Sequence, residues 1–148
     1  RGMLVNSMVL CDYEQSRVFG TTREDGAADT SLMAKLFSAA TGVETGQVDL
    51  DRAGERIWNL LRAIDVRYFG RKRAIDESTL SEYAYPDFEE GVRLDRERFL
   101  CLLDKYYERS GWNPANSCPT RARLEALALG DVDDELERLV DAELASRR

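Results

Sequence analysis

The 148-residue sequence predicts an all-α fold, an irregular multi-helix domain. Three observations point there. Apolar residues recur at three- and four-residue intervals through several long windows, the period of a helix with one buried face. Those windows are bounded by Asp, Thr, Gly and Pro at the places where helices are capped and broken. No window alternates apolar and polar residues strongly enough to build a sheet.

Taken in order, residues 1–13 open with the apolar runs Met3-Leu4-Val5 and Met8-Val9-Leu10-Cys11, which read either as a short buried strand or as a tight loop entering a helix. Thr21 to Asp29 is a loop that ends in a cap at Asp29 or Thr30. Ser31 to Thr41 follows as a helix with Leu32, Leu36, Phe37 and Ala40 on one stripe and Gly42 as its C-terminal stop. Asp49 or a near neighbour caps the longest helix, in which Leu50, Ala53, Ile57, Leu60 and Ile64 trace a face widened by Trp58 and Leu61. That helix fades near Phe69-Gly70. Arg71 to Arg93 has no sustained period and reads as an irregular excursion.

Helical spacing returns from Asp95 to Arg109 through Phe99, Leu102, Leu103, Tyr106 and Tyr107, with Gly111 ready for a left-handed cap. Trp112 to Cys118 is turn-rich. Pro119 suits the first turn of a short helix carrying Leu124, Leu127 and Ala128, which Gly130 closes. Asp131 to Ala145 reads as a last helix with Val132, Leu136, Leu139, Val140 and Leu144 on one side, and with Asp133, Asp134 and Glu135 near the positive end of its dipole. Five to six helices follow as a rough count from these spacings.

Length and composition bound the function. The chain has the size of one domain, 1–148, and with 43% apolar and 33% charged residues it fits a soluble globular protein. A net charge of −7 repels a phosphate backbone, so nucleic acid is not an expected partner. No stretch approaches the roughly 20 apolar residues that span a bilayer, and the expected location is cytoplasmic. Cys11, Cys101 and Cys118 have no framework spacing and read as thiols in a reducing compartment. The absence of histidine removes Ser-His-Asp, Cys-His and His-zinc chemistry, leaving carboxylates and thiols as metal ligands. The start at Arg1-Gly2 without an initiator Met is expected of a piece of a longer protein.

Three ordered stretches resemble the C-terminal region of the aldehyde ferredoxin oxidoreductase family. Ala53-Gly54-Glu55-Arg56-Ile57-Trp58-Asn59-Leu60, followed by Ile64-Asp65-Val66-Arg67, is similar to A-G-E-R-I-W-N-L and then F-N-x-R. Leu103-Asp104-Lys105-Tyr106-Tyr107, leading to Gly111-Trp112-Asn113, is similar to L-D-E-Y-Y and then R-G-W-D. Pro119-Thr120, Leu124 and Leu127-Ala128-Leu129 resemble P-T-x-x-x-L-x-x-L-G-L. Asn6-Ser7-Met8-Val9-Leu10-Cys11 resembles the family's D-x-x-G-L-C, with Asn6 in place of the acid and Val9 in place of the glycine. Asp76 and Leu80 are kept from D-x-L-P-x-R while Ser81 stands where proline is expected, which implies an altered substrate preference.

The resemblance implies the C-terminal domain of an enzyme that oxidises aldehydes to carboxylic acids on tungsten or molybdenum held by two pyranopterins. Electrons would leave through a 4Fe-4S cluster to ferredoxin. It also implies that Cys11 is the cluster's fourth ligand, that Asn6 and Leu10 neighbour a pterin, and that residues 1–13 form the cluster-proximal segment. By residue type alone Cys11 would be a small buried hydrophobe. No residue of this chain is implied in catalysis itself, and the isolated chain is expected to bind no cofactor and to be inactive. The remainder of the enzyme is the expected partner. Cutting it away is expected to expose an apolar patch around Met3 to Leu10 and part of the long helix, with dimerisation as its sign. Two alternatives stand beside this reading: a domain of an aromatic acyl-CoA reductase-like relative, and a metal-free helical interaction module.

Other features have plainer expectations. Glu55, Arg56 and Asn59 lie within one helical turn and suit a polar network against another domain, while Arg67, Arg71, Lys72 and Arg73 form a basic cluster at a solvated helix end. Trp58, Trp112, Tyr106 and Tyr107 read as core, and Cys101 and Cys118 as structural.

Overall fold

A computed structural model describes residues 4, 7–8, 31–82, 95–132, 134 and 136. Helices α1 (Ser31–Thr41), α2 (Gln47–Phe69), α3 (Arg73–Glu82), α4 (Arg96–Ser110) and α5 (Arg121–Ala126) succeed one another. The described residues contain no strand, only the single antiparallel bridge between Trp112 and Pro119. The all-α expectation holds. Two compact units divide the chain, Arg1–Trp58 and Asn59–Arg148, so α2 lends its first half to one and its second half to the other.

In the first unit, α1 takes its predicted bounds, and Gly42 ends it at φ 73° with its N–H on Ser38 O. The buried face differs from the expected stripe: Met33 and Ala34 are buried, Leu32 and Phe37 are half-buried, and Leu36 is exposed. Met33, Ala34, Leu32 and Phe37 pack with Leu50, Ala53 and Ile57 of α2 and with Leu4. Helix α2 begins two residues before Asp49. That side chain sits in the first turn and reaches back, Oδ2 accepting the Gly46 N–H at 2.9 Å, as an N3 carboxylate does in a capping box.

In the second unit the buried face of α2 departs from the periodicity. Leu60 and Ile64, predicted as core, are each 39% exposed, whereas Asn59, Arg62 and Ala63 are nearly inaccessible. The polar side chains win that face because each finds a partner, described below. The predicted excursion 71–93 also needs correction, since α3 occupies its first part. Serine at 81 retains a backbone donor that proline lacks, which lets the helix run to Glu82. Residues 83–94 lie outside the described residues.

Helix α4 is bounded as expected. Asp95 accepts from the N–H groups of Glu97 and Arg98, and Gly111 caps the other end at φ 76°. A methyl group on Gly111 would come within 2.5 Å of Arg123 Cγ, so both the left-handed backbone and the close approach demand glycine. Residues 111–120 then form a tight connection in which Trp112 N–H donates to Tyr107 O, Asn113 N–H to Cys118 O, and Thr120 N–H to Gly111 O. Pro119 belongs to this connection rather than to the next helix. Thr120 is the N-cap of α5, its hydroxyl accepting from Arg123 N–H. Leu124, Leu127, Leu129 and Leu136 bury against Ala63, with Val66 and Val132 at the margin. The described part of the predicted last helix is helical at residues 130–132, 134 and 136, and its remainder lies outside the described residues.

Ala128 sits at φ 54°, where an L side chain is strained, in the position the similar motif fills with glycine. Ala128→Gly is expected to stabilise the chain. It removes a left-handed penalty of roughly 1–2 kcal/mol and restores about 0.4–1 kcal/mol of unfolded-chain freedom, for a net gain of up to about 1.6 kcal/mol. Chemical denaturation of the two chains side by side checks the sign, and a lowered midpoint would contradict it.

Candidate functional site

Asn6, Leu10 and Cys11 lie outside the described residues, whereas Leu4, Ser7 and Met8 lie within them. Leu4 is 5% exposed and belongs to the cluster of Met33, Ala34 and Leu50. Met8 N–H donates to Leu4 O at 3.0 Å, a helical i to i−4 bond, and Met8 packs on the rim of the same cluster. The expected exposed patch around Met3 to Leu10 is thus corrected at Leu4, whose side chain is buried in that cluster. Gly54 lies against it: a methyl group there would stand 3.5 Å from Leu4 Cβ. Beside it lies a cleft of about 440 Å³ lined by Leu4, Met33, Leu50, Gly54 and Trp58, with Gln47, Asp51 and Glu55 along one wall.

The second unit holds a buried ionic centre that the sequence reading missed. Arg62 is 4% exposed, and its Nη2 meets Asp76 Oδ2 at 2.6 Å. Its Nε donates to Ser117 O at 2.9 Å, and the guanidinium lies 4.7 Å over the Trp112 ring. Asp76 also accepts from Tyr107 Oη at 2.7 Å and from Arg71 Nε at 2.9 Å. Burial alone would raise the Asp76 carboxyl, but hydrogen bonds from Arg62, Tyr107 and Arg71 outweigh it and hold it below the usual carboxylate range. Burial and the bond to Asp76 push the Tyr107 hydroxyl above its ordinary value, so it stays a proton donor.

Asn59, 1% exposed, accepts the Trp112 Nε1 hydrogen at 2.9 Å. Every group at this centre is engaged by another, and the arrangement ties α2, α3, α4 and the 111–120 connection together rather than presenting a reactive atom.

The remaining predicted features resolve in the same manner. Asn59 serves the Trp112 contact within its own unit, while Glu55 is exposed and Arg56 half-buried. The basic cluster is largely bound internally: Arg71 by Asp76 and Asp65, Arg73 by Glu77 and Asp104, which raises both guanidinium pKa values through those hydrogen bonds. Arg67 lies 5.1 Å over the Tyr68 ring. Tyr107 and Trp112 are core as expected, whereas Tyr106 is 42% exposed. Cys101 is exposed on α4 and Cys118 half-buried in the connection. Tyr68 and Phe69 at the end of α2 are open to solvent, as are Leu60 and Ile64, which periodicity had placed inside. No described helix is long and apolar enough to cross a membrane.

Among the described residues no group of three or more His, Cys, Asp or Glu side chains could hold a metal ion. The sequence has three cysteines, fewer than the four thiolates of a cubane held by cysteine alone. A single cysteine thiolate is chemically suited to be one of four such ligands.

Comparison with known proteins adds two findings. Residues 1–129 match the family model described as "Aldehyde ferredoxin oxidoreductase, domains 2 & 3". A solved structure titled "Active site complex BamBC of Benzoyl Coenzyme A reductase in complex with 1,5 Dienoyl-CoA" is similar over 75% of this chain, at 29% identity and a TM-score of 0.60. The chain spans 16% of that relative's length.

Proposed function

The chain belongs to the aldehyde ferredoxin oxidoreductase family, and from that premise we propose that it is the C-terminal domain of a tungsten- or molybdenum-pterin oxidoreductase that oxidises aldehydes to carboxylic acids. The observation that carries this is the family match over residues 1–129, a range that includes both the Asn6–Cys11 segment and the Ala53–Leu60 stretch. In this reading Cys11 contributes the last thiolate of a 4Fe-4S cluster, and Asn6 and Leu10 border a pterin. Asn6 offers an amide that both donates and accepts, without the charge of the acid it replaces. The bound metal and cluster supply the redox chemistry, while this chain orients one ligand and walls off water. Its buried ionic centre is scaffold. The rest of the enzyme is the partner within the molecule, and ferredoxin takes the electrons.

A second reading has its own support. The solved relative is a benzoyl-CoA reductase complex holding a dienoyl-CoA, which favours reduction of an aromatic acyl-CoA by the same cofactor set. Val9 and Ser81, at positions where the family carries glycine and proline, accord with a changed substrate.

The test is metal analysis of the full-length gene product after anaerobic purification, followed by viologen assays with aldehydes and with acyl-CoA thioesters. Iron with tungsten or molybdenum and aldehyde-dependent viologen reduction is the expected result, with Cys11→Ser lowering iron content and abolishing turnover. Activity with acyl-CoA alone would move the assignment to the second reading. Protein devoid of iron and of both heavier metals would sink the two together and leave a helical interaction module.

A further inference from the structure

We draw no further inference here: the strongest candidate, the cleft of about 370 Å³ in the second unit between the exposed Leu60, Ile64 and Tyr68 stripe of α2 and the Asp131–Val132 segment, is an unpartnered apolar face, and nothing in the structure shows what covers it.

Discussion

Asp76→Asn is expected to destabilise the second unit by about 3–5 kcal/mol, the usual cost of removing one partner from a buried ion pair. The carboxylate accepts from Arg62, Arg71 and Tyr107 at once. Asparagine keeps the shape but not the charge, so Arg62, only 4% exposed, is left as an uncompensated buried cation. At roughly 4–8 °C per kcal/mol for a unit of this size, the melting midpoint falls by more than about 10 °C. Arg62→Lys does not serve in place of arginine, because one ammonium cannot reproduce the fork that meets Asp76 and Ser117 O together. Urea denaturation checks the first claim, and a loss below about 1 kcal/mol would contradict the buried-pair assignment.

The same carboxylate predicts a pH profile. Its folded-state pKa lies below the unfolded value, so in the acidic range the unfolded chain binds more protons than the folded one. The stability it contributes is therefore complete above the unfolded value of about 4 and is lost as pH falls through the depressed folded value. Between neutral pH and pH 3 the wild type should lose stability more steeply than Asp76→Asn. Parallel slopes would count against the coupling.

Leu124→Ala is the second large effect, at about 3–4 kcal/mol. Leu124 is completely inaccessible and sits among Ala63, Leu127, Leu129 and Leu136. The six-residue α5 is held from outside by its Thr120 cap and by packing, with no length of its own to collapse into the void. Leu102→Ala is the matched control, since Leu102 is 56% exposed and its truncation should change stability by less than about 0.5 kcal/mol. Equal effects at the two positions would show that the packing at Leu124 has been misread. The denaturant slope should stay constant in both variants, because the folded and unfolded surfaces are nearly unchanged.

Legibility followed the range of the interactions. Helix α1 and the stops at Gly42 and Gly111 were readable because a glycine stop is a local hydrogen bond and a local dihedral angle. Helix α3 was not: Arg73 to Glu82 has little apolar periodicity, and it is held in place by pairs such as Arg62–Asp76 and Arg73–Asp104, separated in sequence by 14 and 31 residues. The proposed site was legible in a different sense. Asn6, Leu10 and Cys11 stood out through a motif, and no local rule would have singled out a lone thiol.

By itself, the sequence determined the helical class, the stops at Gly42 and Gly111, the exclusion of histidine chemistry and the family to which the chain belongs, because these depend on neighbouring residues and on residue identity. Only the tertiary structure decided which face of α2 is buried. Periodicity put Leu60 and Ile64 inside, yet Asn59 and Arg62 took that place. A buried polar side chain is tolerated where all its hydrogen-bonding groups are met, and here Asp76, Ser117 and Trp112 arrive from 14 to 55 residues away to meet them.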